Sequence, residues 1–332
     1  MKVLVTGGNG NISWWFVKLA VKYGHQVYVI GRSLEKPTRR EIPKEVVQIH
    51  CDYRNIEGTQ QVLNGLTFDV VCDFICYNKE QAQNAIKLFK ARTLHYIFIS
   101  SESIYQRKTE FLPFKETTPV NDSKTSGKYI SGKIEAEAIF KNAFEKFAFP
   151  VTIIRPSYTY DTLIPTSIGL NCYTAINRYL LDNVVLIAGD GINLWTFTHA
   201  KDFGRALIGV IGNPEAVGED YNITSDEWLT WNDVTAIIVE TLQLPNPKAI
   251  HIPREKVLGF EFLGDTNMLT HKLSHSIYDN SKIKKMRPDW SAEIGFREGI
   301  TKTLQWLQEN SLRQRINPSL DALIINLTRS FI

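Results

Sequence analysis

Six short apolar runs, at residues 2–6, 26–30, 46–50, 69–75, 95–100 and 150–154, alternate with stretches in which apolar residues recur every three or four positions, at 13–23, 57–65, 79–91 and 129–147. Short apolar runs bounded by turn residues fit strands buried on both faces, and the longer spacing fits amphipathic helices laid over them. Alternation of the two predicts an α/β fold built on a doubly wound parallel sheet. After Pro156 the alternation weakens, and turn-rich segments appear around Asp161 to Pro165 and at Gly189-Asp190-Gly191. A smaller, mixed α/β C-terminal unit is expected there. Within it Tyr221-Asn222-Ile223 reads as a short strand, and residues 230–242 read as a helix with Thr230 as its N-cap. Residues 292–309 form another amphipathic helix, and the tail from Arg313 to Ile332 keeps helical spacing.

Composition narrows the class without naming a chemistry. A chain of 332 residues, 43% of them hydrophobic, can bury the core of a sheet domain plus a smaller partner. The net charge of +3 gives no electrostatic argument for nucleic acid, and the basic run Lys282 to Lys285 reads as solvated surface. Cys51, Cys72, Cys76 and Cys172 lie in or beside apolar segments without metal-ligand spacing, so reduced thiols and no metal are expected. No apolar run reaches the roughly 18 residues of a membrane span. With a first strand at residue 2 and no signal-peptide pattern, a cytoplasmic protein is the expectation.

Two local patterns carry chemistry. Lys2 to Thr6 runs into Gly7-Gly8-Asn9-Gly10-Asn11-Ile12-Ser13 and then into a helix-like segment, with a second strand following at residue 26. Strand, glycine turn and helix form a cradle for a pyrophosphate, because glycines allow close backbone approach and the helix N-terminus favours negative charge. The second pattern is Tyr129-Ile-Ser-Gly-Lys133, which places a phenol and an ammonium on one helix face. A cation beside a phenol brings its pKa toward a range useful for proton transfer.

With these motifs the chain resembles an extended short-chain dehydrogenase/reductase of the NAD-dependent epimerase/dehydratase group, over nearly its whole length. Gly7, Gly10 and Ser13 are similar to the family's glycine pattern, with serine in place of the third glycine. Tyr96 to Tyr105 resembles the strand that ends in a catalytic hydroxyl, which selects Ser101, and Arg155-Pro-Ser-Tyr-Thr-Tyr160 resembles a later family segment. The resemblance implies a Rossmann domain at 1–160 plus about 196–224, a substrate domain at 161–195 and 225–310, and a helical tail at 311–332. It implies cofactor contacts from Gly7, Gly10, Asn11, Ile12, Tyr129 and Lys133, from Asp52 and Tyr53 near the adenine, and from Phe74 beside Ile75 under the nicotinamide ribose, where crowding is expected. Arg32 and Ser33, with Lys36, Arg39 or Arg40 as helpers, stand where a ribose 2′-phosphate would lie, so NADP is favoured over NAD.

The implied mechanism has Ser101 hydrogen-bonding a substrate oxygen, Tyr129 exchanging its proton, and Lys133 supporting both the tyrosinate and the ribose. Glu102 and Ser103 occupy the positions of the dehydratases' acidic pair; with one acid present, a full dehydratase mechanism is disfavoured. Trp195 stands where many relatives carry a diphosphate-binding arginine, so it and Ser103 are read as substrate contacts. Arg287 resembles a late substrate-contacting position, with surface pairing as its alternative, and His199 reads as structural. The leading expectation is an NAD(P)-dependent oxidoreductase or epimerase acting at a carbinol or ketone carbon of a sugar or sugar-nucleotide-like molecule. An NADPH-dependent ketoreductase for a non-nucleotide substrate and a non-catalytic nicotinamide- or RNA-binding relative are the alternatives. Helices at 79–91 and 129–147 resemble those that pair in dimeric relatives, so a homodimer is expected, with no nucleic-acid or membrane partner.

Overall fold

The computed structural model describes residues 1–34, 39–169, 173–258 and 270–331. Lys36 and Cys172 lie outside them. In the first half the chain forms β1 (Lys2–Thr6), α1 (Ser13–Lys22), β2 (Gln26–Gly31), β3 (Val47–His50), α2 (Ile56–Val62), β4 (Phe68–Asp73), α3 (Lys79–Phe89), β5 (Thr93–Ile99), α4 (Lys128–Phe147) and β6 (Val151–Pro156). The second half adds β7 (Tyr158–Tyr160), α5 (Thr174–Asp182), β8 (Val184–Ala188), β9 (Leu194–His199), α6 (Ala200–Val210) and β10 (Asp220–Ile223). It ends with β11 (Trp228–Thr230), α7 (Trp231–Thr241), β12 (Lys248–Ile252), α8 (Arg254–Leu258), α9 (Ser281–Met286), α10 (Phe296–Gln308) and α11 (Pro318–Phe331).

A seven-stranded sheet in the order β3-β2-β1-β4-β5-β6-β10 is parallel throughout. Its central strands are apolar on both faces because both are covered: Phe16, Val17, Phe203 and Leu207 of α1 and α6 pack one face, and Leu88, Phe89 and Phe140 of α3 and α4 pack the other. This is the doubly wound arrangement the alternation of runs predicts. The strand order reverses between β1 and β4, and such a switch point opens a crevice at the C-terminal ends of the strands. Two small sheets, β11-β9-β7 and β12-β8, share a separate core with α7, α10 and α11 that includes Trp195, Trp231, Leu304 and Ile324.

Three local devices fix the geometry around the crevice. Thr230 caps α7 through a capping box with Asp233. Arg155, 1% exposed, bolts β6 to its neighbours by a bidentate pair with Glu137 of α4, at 3.0 and 2.7 Å, and by an ion pair with Asp220 at 2.7 Å. At Gly132 a Cβ would collide with the Tyr77 carbonyl oxygen, so glycine alone lets α4 lie directly on the backbone that follows β4.

Candidate active site

The switch-point crevice holds a cavity of about 670 Å³, within the range of small-molecule and cofactor sites. At one end the glycine turn forms its wall. Gly7 has φ +69°, and a Cβ there would sit 2.6 Å from Ile75 Cγ2, so this position needs glycine twice over. Ser13 explains the missing third glycine. Its hydroxyl donates to the Gly7 carbonyl at 2.6 Å and accepts from the Gly10 amide at 3.0 Å, closing the turn from inside. Asn11 lines the cavity, but its side chain is used elsewhere: Nδ2 donates to the Thr159 carbonyl, while Oδ1 accepts from the Asp161 and Thr162 amides.

Beyond the turn, Arg32, Ser33, Arg39, Asp52, Tyr53 and Arg54 line the same end. Arg32 and Asp52 approach to 3.8 Å with both side chains largely exposed, a pairing too weak and too hydrated to hold Arg32 away from a phosphate. Arg39 donates to the Asn9 carbonyl at 3.2 Å, beside Gly10. Arg40 points away and makes a bidentate pair with Asp161. The Tyr53 hydroxyl also faces inward, donating to the buried Asp73 carboxylate that Thr6 and Tyr96 share. Phe74 lines the cavity while its ring packs against Phe16 and Phe203, and the expected crowding falls between Ile75 and Gly7.

At the centre stand Ser101, Tyr129 and Lys133. Tyr129 and Lys133 share one face of α4, with Lys133 Nζ 5.9 Å from the Tyr129 ring centre. Lys133 is 2% exposed and donates to the Cys76 and Ile99 carbonyls, each at 2.7 Å. Burial lowers its pKa to about 8, so it remains mostly an ammonium at neutral pH. Ser101 Oγ lies 2.8 Å from Ser103 Oγ and accepts the Ser103 amide at 3.2 Å, capping the short turn after β5 while facing the cavity.

At the far end the sequence points to Glu102, Ser103 and Trp195 but not to their partners. Glu102 accepts from Arg107 and from the Tyr278 hydroxyl, both at 2.5 Å, and is buried as the counter-ion of that arginine. Arg107 lies over the Trp195 ring at 5.3 Å, and the Trp195 indole donates to the Ser274 carbonyl. His271 and Lys272 complete this wall with Tyr158 and Leu163. Arg287 is a correction: it is not among the lining residues, and it is held by Asp289 at 2.8 Å beside Gly209. His199 is buried at the N-cap of α6, where its Nδ1 accepts the Lys201 amide. Trp14 packs edge-on against Trp15. The residues missed from sequence, Arg54, Arg107, His271 and Lys272, carry no spacing signal and reach the cavity through tertiary folding.

Comparison with known proteins bears on the fold and the family. The chloroplast stem-loop binding protein of 41 kDa b from Arabidopsis thaliana is 25% identical over 90% of this chain and 77% of its own length. Human dTDP-D-glucose 4,6-dehydratase is 26% identical over 67% of this chain, which spans 58% of that enzyme. The 2'-dehydrokanamycin reductase of Streptomyces kanamyceticus is 22% identical over 92% of this chain and 84% of its own length. The fold matches that of UDP-glucose 4-epimerase from Bifidobacterium longum, solved with NAD+ and UDP, with TM-score 0.75 and 19% identity over 94% of this chain and all of that one. Residues 3–224 match the NAD dependent epimerase/dehydratase family along the whole parallel sheet, and the chain is therefore an enzyme of that family.

Proposed function

We propose that the protein is an NADP(H)-favouring oxidoreductase that moves a hydride to or from a carbinol or ketone carbon of a small sugar-like molecule, with Tyr129 as the acid/base. One observation carries this reading: the glycine turn, Ser101 and the Tyr129/Lys133 pair border a single cavity, although they come from three separate parts of the chain. The residues fit a nicotinamide dinucleotide. Gly7 leaves a cradle that a Cβ would fill, and Arg32, Arg39 and Arg54 gather positive charge at the end where the adenosine phosphates would lie. A bound nicotinamide supplies or accepts the hydride. Ser101 holds the substrate oxygen, Tyr129 gives or takes its proton, and the Lys133 ammonium stabilises the phenolate that results. The seven-stranded sheet (1–160 with about 196–224) acts as the dinucleotide-binding unit, and the remainder closes over the substrate.

The position of Glu102 argues against water elimination, since a carboxylate locked between Arg107 and Tyr278 is poorly placed to deliver a proton. The three arginines favour a cofactor with a ribose 2′-phosphate, whose reduced form is the usual hydride donor in ketone reduction. The stem-loop binding relative supports a second reading in which this fold serves nucleic acid; a complete Ser101, Tyr129 and Lys133 set weighs against it. Titration of purified protein with NADPH and NADH tests the reading, followed by turnover of Tyr129→Phe. Binding with a preference for NADPH, and a loss of turnover of about 100-fold or more in the variant at unchanged cofactor affinity, is expected. Failure to bind either nucleotide refutes it.

A further inference from the structure

The cavity wall is unbalanced in charge. Among the described residues it is lined by six cationic side chains, Arg32, Arg39, Arg54, Arg107, Lys133 and Lys272, against two carboxylates, Asp52 and Glu102. Three of the arginines lie at the adenosine end, Lys133 at the centre, and Arg107 is matched by Glu102 at 2.5 Å. Lys272 is left over. It is 3% exposed, and its Nζ donates to the Thr166 and Gly169 carbonyls at 2.6 and 3.1 Å. The Trp231 ring lies 5.2 Å away, and no carboxylate of the described residues comes within ion-pair distance. Two carbonyls that need donors could be served by a neutral hydroxyl or amide at far smaller cost than a buried ammonium, whose desolvation is repaid only by an opposite charge. Burial and the nearby Arg107 keep His271 uncharged, lowering its pKa to about 3, and burial alone lowers Lys272 to about 7, so that about half of it is neutral at pH 7 and an arriving anion would restore the full charge.

We infer that the substrate carries an acidic group, a carboxylate or a phosphate monoester, and that Lys272 receives it at the end of the cavity walled by Trp195, His271 and Arg107. This rests on the proposed function, because it places the dinucleotide at the other end. An ammonium that already holds two carbonyls has one proton left for an incoming anion. The group would lie beside a flat indole face and a neutral imidazole able to donate a hydrogen bond, a setting for one compact anion on a ring-bearing molecule.

Calorimetric titration of the NADPH-saturated protein with D-glucose, D-glucuronate and D-glucose 6-phosphate tests the inference. At least one acid is expected to bind about tenfold or more tightly than glucose, and which of the two does so separates carboxylate from phosphate. Lys272→Met should abolish the preference and Lys272→Arg should keep part of it, with NADPH affinity unchanged in both. Equal binding of all three sugars, no binding of either acid, or a preference that survives in Lys272→Met would overturn the inference while leaving the nicotinamide reading intact. If Lys272→Met does not fold, the wild-type preference and Lys272→Arg still decide. Loss of NADPH binding by the wild-type protein would remove the nicotinamide reading and the inference with it.

Discussion

Two buried lysines face the same cavity and make the same local bonds, yet they belong to different kinds of site. Lys133 and Lys272 each put Nζ on a pair of backbone carbonyls and each sit near aromatic rings, Tyr77 and Phe98 for the first and Trp231 for the second. Lys133 rides on a twenty-residue helix clamped over β4 and β5, one turn from Tyr129, so its chemistry is set by its neighbour. Lys272 sits in the turn at 270–274 of the smaller unit, with Nζ on the Thr166 and Gly169 carbonyls rather than beside Tyr129. The lesson is that an ammonium's hydrogen bonds do not reveal its task; what lies across the cavity does.

The difference is sharpest in catalysis. Lys133→Met should lower kcat by about 100-fold or more, because the phenolate loses its cation, whereas a change at Lys272 should appear mainly in KM. Steady-state kinetics on both variants checks this; a shared kcat defect would erase the distinction. Gly132→Ala attacks the platform under Lys133 alone. The added methyl meets the Tyr77 carbonyl, so a loss of about 1–3 kcal/mol in urea unfolding is expected, with turnover falling alongside. Unchanged stability would mean that α4 does not need this close approach.

A smaller effect concerns the adenosine end. Removing the guanidinium in Arg32→Ala should weaken NADPH by about tenfold and leave NADH nearly unaffected, as fluorescence titration would show. The smallest effect is in pH. Both lysines have folded pKa values below that of the unfolded chain, about 8 for Lys133 and about 7 for Lys272, so above those values the unfolded state binds more protons. Their contribution to stability therefore rises with pH from about 7 toward about 10. Lys272→Met should remove the rise between about pH 7 and 8 and leave only the Lys133 share of the slope from there toward 10, measured as urea midpoints across the range. An unaltered slope would show that Lys272 is not the group titrating there.

Much of the fold could be read from the chain because its cues are local. Most strands of the first half are short apolar runs, and the glycine turn and the Tyr129/Lys133 pair are complete within a few residues. The sequence could not show how side chains would be shared out. Asn11 stands in the turn but ties it to Thr159 and Thr162, and Tyr53 turns its hydroxyl to Asp73. Arg287 has the right segment but a closer partner in Asp289. The substrate end is the least legible, because Arg107 meets the His275 carbonyl across 168 positions, a distance over which spacing carries no information.

Ser13 has a thermodynamic consequence. A glycine at that position would leave the turn to be shaped by whatever docks on it, and a ligand would pay for that ordering out of its own affinity. Here a side chain one step into α1 binds both ends of the turn, so the loop meets its ligand with the entropy of closure already spent during folding.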